Sequence, residues 1–256
     1  MKAIEFICNN KCLRGTVHVP KKENKKFPVV IMFHGFGANR IEYYSSFVKM
    51  SNLLVENNIA SIRFDFSGHG ESDGDFFDVT LSNEIVEGKA IVEFVKNLDF
   101  VDKDNINLLG MSLGGVVSSV MAGEMKEYIK SLCMWAPAAA VLDEININRT
   151  IQGKSIEEIK EKGYFDFHSH KVSQSFIEDI NTFNIYDKAK LFDKDVKIIH
   201  GDKDLVAPIK YSKKYIECYD GRGELYTIIG ADHSFGTVEH RTELFDETIK
   251  FFKKIL

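Results

Sequence analysis

A serine stands between two glycines at the point where a short apolar segment gives way to a predicted helix. The residues are Gly110-Met111-Ser112-Leu113-Gly114, and they directly follow the apolar segment 105–109. Gly-x-Ser-x-Gly between a strand and a helix is typical of a nucleophile elbow, a sharp turn that exposes the serine hydroxyl above a sheet. Glycines are needed there because a Cβ would collide with the neighbouring strand or helix. The rest of the chain can be placed around Ser112.

Apolar and amphipathic segments alternate on both sides of this turn. After an N-terminal hairpin over residues 4–8 and 12–19, strands are predicted at 28–33, 59–66, 105–109, 131–137, 196–200 and 225–229. Besides the helix that follows the elbow, helices are predicted at 44–57, 81–98, 208–218 and 238–254. So regular an alternation predicts an α/β fold, with a mainly parallel sheet and helices on both faces.

The alternation stops between about residues 138 and 190. This stretch has many charges and scattered aromatic residues, but no segment that reads as a buried strand. An insertion of that length between two sheet strands is most simply a cap or lid. We therefore predict a core of residues 1–137 and 191–256, with residues 138–190 inserted as a lid.

Composition narrows the class of protein. A chain of 256 residues fits one large domain, and the net charge of -5 argues against nucleic acid or an anionic membrane as a partner. The N-terminus has no apolar signal region and no apolar run is long enough to span a membrane, so we expect a cytoplasmic protein. The four cysteines lack metal-binding spacing, so we predict reduced thiols, no metal and no cofactor.

A serine nucleophile restricts where its partners can stand. It needs a neighbouring base, and the base needs a third group that holds its ring. Ligand sites in open parallel sheets form at the carboxyl ends of the strands, and for a serine elbow the chain order is serine, acid, histidine. This order excludes His18, His34 and His69 as the base, and we interpret His34 as a support for the loop that follows it.

Five histidines follow Ser112, and His233 is our candidate base because it comes directly after the last predicted strand. We interpret the others as packed or solvated side chains: His168 and His170 in the insertion, His200 at a strand end before the acid, and His240 inside the last helix.

Three aspartates compete for the role of the acid. Asp202 falls within a turn, where local hydrogen bonding to the backbone is expected, and Asp232 adjoins His233 and would point elsewhere. Asp204 lies farther along, just before the proline that opens the next helix, and we assign it the orienting role. An oxyanion also needs donors, and we assign these to the backbone NH groups of Phe36 and Leu113.

At this point the chain resembles the α/β-hydrolase superfamily, and within it the bacterial cinnamoyl (feruloyl) esterases. The residues behind this resemblance are His34-Gly35-Phe36, the run 63–74, Ala136-Pro137-Ala138-Ala139, the segment 201–208 and Ala231-Asp232-His233. The resemblance implies the same catalytic residues and a lid over an aromatic acyl group. It also implies a subsite for the ring hydroxyl near Asp143 or Glu144 and near Phe176.

The chain departs from those esterases at the elbow and in the lid. Met111 and Leu113 stand where the family usually has histidine and glutamine, and Phe176 has no hydroxyl group. From the resemblance we predict a serine ester hydrolase that acts through an acyl-enzyme on hydroxycinnamate-type esters. Because of the departures, short- or medium-chain acyl esters or monoglycerides are the alternative substrates.

Other classes of protein remain open at this stage. The catalytic residues do not distinguish an ester from an amide, so an acylaminoacyl-type peptidase is possible, as is a hydrolase fold that only binds a small ligand. A haloalkane dehalogenase would need an aspartate in place of Ser112. The aromatic residues of the insertion could line a substrate pocket or a contact in a homodimer.

Overall fold

The computed structural model describes residues 1–22 and 25–256. The strands of the first half are β1 (Lys2–Cys8), β2 (Lys11–His18), β3 (Phe27–Phe33), β4 (Ala60–Phe64), β5 (Val101–Met111) and β6 (Ile129–Trp135). Its helices are α1 (Ser46–Glu56), α2 (Leu81–Lys96) and α3 (Leu113–Glu124). Short 3₁₀ turns lie at Tyr43–Ser45 and Phe76–Asp78.

The second half contains both short and long elements. Its strands are β7 (Thr150–Ile151), β8 (Lys154–Ser155), β9 (Phe165–Phe167), β10 (His170–Val172), β11 (Val196–Gly201) and β12 (Gly223–Ile228). Its helices are α4 (Ala140–Asp143), α5 (Ile159–Lys162), α6 (Gln174–Ile180), α7 (Ile185–Ala189), α8 (Lys210–Cys218) and α9 (Val238–Ile255). A π-helical turn at Glu144–Asn148 follows α4 directly.

Eight strands form one sheet in the order β1-β2-β4-β3-β5-β6-β11-β12. β2 pairs antiparallel with both β1 and β4, whereas the other neighbours pair in parallel. The parallel strands therefore end along one edge of the sheet, where Ser112 follows β5. The predicted α/β-hydrolase fold is confirmed, and so is the N-terminal hairpin at the sheet edge.

Both faces of the sheet are buried, which explains why its strands read as continuous apolar runs. Val29, Ile31 and Phe33 of β3 face the core that also contains side chains of α2, α3 and α8. Val30 and Met32 face the opposite core, which contains side chains of α1 and α9. Each fully buried side chain of this kind stabilises the fold by roughly 1.5–3 kcal/mol.

The stretch between β6 and β11 adds no strand to the main sheet. It forms two short antiparallel hairpins, β7–β8 and β9–β10, together with short helices. The sequence did not predict buried strand residues here, yet Phe165 and Phe167 of β9 are buried, because three residues are too few to show a readable alternation. Helix α7, which falls within the predicted insertion, packs against α3 and α8.

Helix α6 is tied to the core by the carboxylate of Asp179. This carboxylate accepts hydrogen bonds from the backbone NH of Ser82, at 2.8 Å, and from its hydroxyl.

Across residues 1–22 and 25–256, none of the helices is both long and apolar enough to cross a membrane. All four cysteines carry free thiols.

The elbow depends on close approach between the start of α3 and the end of β3. A Cβ on Gly114 would overlap the carbonyl oxygens of Phe33 and His34 and would lie 2.6 Å from the carbonyl carbon of Phe33. These atoms belong to the backbone of a central strand, so they have little freedom to move. Gly114 is therefore required by space rather than by backbone conformation.

We expect Gly114→Ala to destabilise the protein and to abolish activity. Overpacking costs about 1–3 kcal/mol, which exceeds the roughly 0.5–1 kcal/mol that alanine gains over glycine within a helix. Urea unfolding and ester hydrolysis would measure the two effects. Gly221→Ala is the control, because a Cβ at Gly221 meets no atom within 4 Å and its φ of 80° leaves only a backbone penalty. A Gly114→Ala protein as stable and as active as the wild type would contradict this account.

Candidate active site

Ser112 has a backbone conformation that few residues other than glycine adopt. Its φ is 55° and its ψ is -120°, at the junction of β5 and α3. Such a conformation costs on the order of 1–3 kcal/mol and persists only where neighbours hold it in place. Here the NH of Ser112 donates to the carbonyl of Trp135 at 2.9 Å, and its carbonyl accepts from the NH of Ala138 at 3.0 Å.

Three side chains form a continuous hydrogen-bonded chain at the carboxyl edge of the sheet. Nε2 of His233 lies 2.9 Å from Oγ of Ser112, and Nδ1 of His233 lies 2.6 Å from Oδ2 of Asp204. A carboxylate can only accept, so Nδ1 carries the proton and the Nε2 lone pair faces the serine hydroxyl. The structure thus brings together the three residues that the sequence predicted as nucleophile, acid and base.

Asp204 is buried but keeps its charge. Burial alone would raise the pKa of this carboxyl, but hydrogen bonds from His200 and His233, the charge of His233 and the NH of Ala207 hold the pKa well below its usual range. Oδ1 accepts from the NH groups of Val206 and Ala207 at 2.8 and 2.7 Å. The carboxylate therefore stays ionised and accepts a hydrogen bond from Nδ1 of His233 without taking up its proton.

His200 is the second histidine that contacts Asp204. It is fully buried at the end of β11, with Nε2 at 3.0 Å from Oδ2 of Asp204 and Nδ1 at 2.7 Å from Oγ of Ser212. The sequence predicted a packed or solvated histidine here, and the structure shows a packed one whose partner is the predicted catalytic acid. The sequence feature that could have indicated this contact is the position of His200 four residues before Asp204.

The predicted oxyanion donors lie beside the serine. Phe36 follows the end of β3, and Leu113 is the first residue of α3, where the helix dipole favours negative charge. Within the described part of the chain, neither backbone NH donates a hydrogen bond to another group. Both residues line the cavity next to Ser112. Both residues therefore bring to the cavity beside Ser112 an NH group that has no acceptor among the described residues.

Two spaces meet at Ser112. One is a small cavity of about 40 Å³, with mainly apolar walls that include Ala138, Val141 and Phe176. The other is a groove of about 210 Å³ that shares Phe36, Gln152, Phe167 and Val206 with the cavity; its more polar walls also include Gly35, Glu42, Tyr43, Met111, His168, His233 and Ser234. His233 lines the groove and not the small cavity.

The predicted lid residues are placed differently from one another. Glu144 and Phe176 line the small cavity, and the Phe176 ring stacks on Phe36 with centroids 4.6 Å apart. Asp143 does not line it, because its carboxylate accepts a hydrogen bond from the hydroxyl of Tyr211 at 2.7 Å. Burial raises the pKa of Glu144, while backbone NH groups of Gln152 and Gly153 oppose the rise.

Similarity to known proteins extends over most of the chain. A family model described as serine aminopeptidase, S33, matches residues 24–195. The chain belongs to this α/β-hydrolase family. The hydrolase is also similar to the solved structure of Est1E from Butyrivibrio proteoclasticus with ferulic acid bound, with a TM-score of 0.89, 28% identity and 98% of each chain covered. The human monoacylglycerol lipase ABHD6 is 30% identical over 112 residues, which are 43% of this chain and 31% of that protein.

The loop that carries Phe36 is supported by two buried histidines of the hydrolase. His34 donates from Nδ1 to the carbonyl of Gly35 at 2.9 Å and accepts from the NH of Phe66 at Nε2. His69 lies beneath the loop, where its Nε2 accepts from the NH of Gly37 at 3.4 Å. Burial lowers the pKa of His34 to about 4 and that of His69 to about 3, so both rings are neutral at pH 7.

The remaining candidates have structural roles in the hydrolase. Asp232 accepts from the NH of Gly236 at 2.8 Å, within its own turn. Asp202 accepts from the NH of Gly230 at 2.6 Å, so its carboxylate bonds to the loop after β12 and not to its own turn, where the sequence predicted a local contact. Within residues 1–22 and 25–256, no three His, Cys, Asp or Glu side chains are grouped to hold a metal ion. Glu42, which the sequence did not single out, also lines the groove.

The two buried histidines make the stability of the hydrolase depend on pH. A pKa below the ordinary 6.5 means that the unfolded chain binds the proton first, so stability is complete above pH 6.5 and falls as the pH drops toward 4. Each histidine is expected to remove up to ~1.4 kcal/mol per pH unit in this window. Urea unfolding between pH 7 and pH 5 would measure the slope.

Two variants separate these histidines from other titrating groups. His69→Gln should flatten the slope, because its side chain no longer takes up a proton on unfolding. Val238→Ala, at an exposed position of α9 that carries no titratable group, should leave the slope unchanged. Equal slopes in wild type and His69→Gln would show that His69 does not contribute.

Proposed function

We propose that this protein is a carboxylic ester hydrolase that acts through an acyl-enzyme, with Ser112 as nucleophile, His233 as base and Asp204 as the orienting acid. The observation that carries the proposal is the unbroken hydrogen-bonded chain from Ser112 Oγ through His233 to Asp204. The 2.9 Å between Ser112 Oγ and His233 Nε2 already lies within the hydrogen-bonding range that proton transfer requires.

The reaction follows from these positions. Ser112 Oγ attacks the ester carbonyl carbon while its proton passes to Nε2 of His233, and the oxyanion is stabilised by the NH groups of Phe36 and Leu113. The carbon–oxygen bond to the alcohol then breaks, and His233 gives its proton to the departing oxygen. Water attacks the acyl-enzyme by the same route, and the free acid leaves with Ser112 restored.

The position of His233 assigns the two halves of the ester. A base that protonates the leaving oxygen must lie on the side of the alcohol, so the groove lined by His233 would hold the alcohol. The acyl group would then enter the small cavity between Phe36, Val141 and Phe176. This cavity is too small for a complete aromatic acid, so its aromatic walls must move apart when such a group binds.

Two observations support a hydroxycinnamate-type acyl group. The walls of the cavity include the aromatic rings of Phe36, Phe167 and Phe176. Est1E, which binds ferulic acid in its solved structure, covers the same length of chain at 28% identity. Aromatic rings of a substrate can stack on such walls.

A medium-chain acyl ester or a monoglyceride is the second candidate for the substrate. Phe176 presents no hydroxyl to a phenolic group, and the mainly apolar cavity suits an alkyl chain. The partial similarity to a monoacylglycerol lipase favours the same class. Since the family model is described as a serine aminopeptidase, an amide substrate is the third class that experiments should include.

The nucleophile can be tested with p-nitrophenyl acetate and butyrate. We expect Ser112→Ala to lower kcat by about 10⁴–10⁶-fold, because the serine and histidine act as one unit. Mass spectrometry of rapidly quenched wild type should show one added acyl group, which the variant lacks. Ser118→Ala in the same helix is the control for folding. Turnover by Ser112→Ala equal to that of the wild type would refute the proposed function.

The acyl class can be tested with methyl ferulate and methyl octanoate, which share a leaving group. The aromatic assignment predicts the higher kcat/KM for ferulate, since only an aromatic acyl group can stack within the cavity. Ferulate turnover at background beside measurable octanoate turnover would remove that assignment and leave the alkyl esters. A panel of aminoacyl p-nitroanilides completes the comparison, and preferential cleavage there would favour a peptidase.

Phe176→Ala should enlarge the acyl cavity and shift the chain-length preference. We expect the ratio of kcat/KM for p-nitrophenyl octanoate to that for acetate to rise about tenfold, since a few buried methylenes are worth roughly 0.8 kcal/mol each. Phe165→Ala is the matched control, because Phe165 is buried in β9 but does not line the cavity. An identical rise in both variants would mean that the insertion has only loosened.

A further inference from the structure

Glu42 is a buried carboxylate in the groove that holds Ser112 and His233. Only 8% of the residue is exposed, and it stands just before the 3₁₀ turn Tyr43–Ser45. Neither the catalytic serine nor its base requires an acid at this position. A charge buried beside a reaction site calls for a physical explanation.

The backbone of Glu42 is strained. Its φ is 59° and its ψ is 167°, a region that is almost restricted to glycine. Tyr44 and Ser45 also have positive φ values, of 57° and 59°. Glycine at position 42 would adopt this conformation without strain. The side chain of Glu42 must therefore make contacts that offset the strain.

The carboxylate of Glu42 holds the loop that leads from β3 to Phe36. Oε1 accepts from the NH of Gly35 at 2.6 Å, and Oε2 accepts from the NH of Tyr43 at 3.1 Å. A Cβ on Gly35 would lie 3.1 Å from Cβ of Ser112 and 3.5 Å from Oε1 of Glu42. Gly35 is therefore confined between the nucleophile and this carboxylate.

Peptide geometry transmits this confinement to Phe36. The carbonyl of Gly35 accepts from Nδ1 of His34 at 2.9 Å and from the NH of Ala38 at 3.1 Å. Because a peptide is planar and its C=O and N–H point in opposite directions, fixing the Gly35 carbonyl also sets the direction of the Phe36 NH. Glu42 restrains the other side of Gly35, so both peptides that flank this residue are held.

We propose that Glu42 is a positioning residue of the oxyanion hole, which holds Gly35 so that the Phe36 NH points at the space above Ser112. This inference rests on the proposed function and adds a residue to its machinery. Burial raises the pKa of Glu42, while the NH groups of Gly35 and Tyr43 and the charge of His233 oppose the rise. The role requires only that an oxygen of Glu42 accepts from the NH of Gly35; it does not require the carboxyl to be ionised.

Two variants of similar volume separate the acceptor from the bulk of the side chain. Glu42→Leu removes the acceptor and is expected to lower kcat on p-nitrophenyl acetate by about 10²–10³-fold, the usual effect of losing one oxyanion donor, with little change in KM. Glu42→Gln keeps an oxygen for the NH of Gly35 and should recover most of the lost kcat. The affinity for an alkyl boronic acid, which forms a tetrahedral adduct with the serine, should fall with kcat.

The outcomes distinguish this inference from the proposed function. Turnover by Ser112→Ala equal to wild type would refute both. An inactive Ser112→Ala beside a fully active Glu42→Leu would refute only the role of Glu42. If both Glu42 variants lost thermal stability while kcat and boronate affinity stayed unchanged, Glu42 would be no more than a cap for the 3₁₀ turn.

A measurement on the wild type covers the case in which Glu42→Leu does not fold. Amide hydrogen exchange followed by NMR should find the NH of Gly35 protected and that of Phe36 exchanging freely. Addition of the boronic acid should then protect Phe36. A Gly35 amide that exchanges as fast as that of Phe36, or a Phe36 amide that the boronic acid leaves unprotected, would overturn the inference.

Discussion

The contact between the start of α3 and the end of β3 is the constraint on which this site depends. Gly114 lets the helix approach the carbonyl oxygens of Phe33 and His34, and this approach makes the turn at Ser112 sharp. One turn thereby exposes a serine hydroxyl and places the first NH of a helix beside it. The strain at Ser112 is tolerated because β6 and the residues after it hold both its NH and its carbonyl.

The charges around the serine are fixed before any substrate arrives. Asp204 receives hydrogen bonds from two histidines and two backbone NH groups, and Glu42 receives two from the backbone. Buried carboxylates with so many donors have little freedom to reorient. A site of this kind can stabilise a developing charge without reorganising during the reaction, which is the main source of electrostatic catalysis.

The part of this site that the sequence predicts is the part encoded locally. Gly110 and Gly114 mark the elbow, and position within a turn separates Asp204 from Asp202, because each depends on a few neighbouring residues. His233 is selected by the order of residues along the chain, which the sequence also shows directly. Glu42 could not be recognised, since its role depends on a φ of 59° and on a contact with Gly35 across a loop. The sequence also could not choose between Asp143 and Glu144 of the insertion, because the direction of a side chain changes by about 100° from one helical position to the next.

That rotation decides which of the two acids lines the small cavity beside Ser112. Asp143 ends α4 and turns toward Tyr211, whereas Glu144 begins the π-helical turn and lines the cavity. A family resemblance can locate this pair to within one residue, but only the backbone geometry can choose between them. Strand β9 escaped prediction for a different reason: Phe165 and Phe167 are buried on either side of an exposed Asp166, but three residues are too few to show a readable alternation.

Phe36 connects the chemistry to the recognition of substrate. Its NH is an oxyanion donor in the proposed mechanism, while its ring stacks on Phe176 at 4.6 Å and contacts Phe76 and Phe167 at 5.0 Å each. In the proposed mechanism, an acyl group that enters the small cavity displaces some of these rings and so acts on the residue that also supplies an oxyanion donor. If Glu42 holds Gly35 as proposed, the ring can adjust to the acyl group while the backbone NH of Phe36 keeps its direction. We therefore expect acyl groups that fill the space without shifting the Phe36 backbone to be turned over fastest, since binding energy raises kcat only when it keeps the transition-state contacts intact.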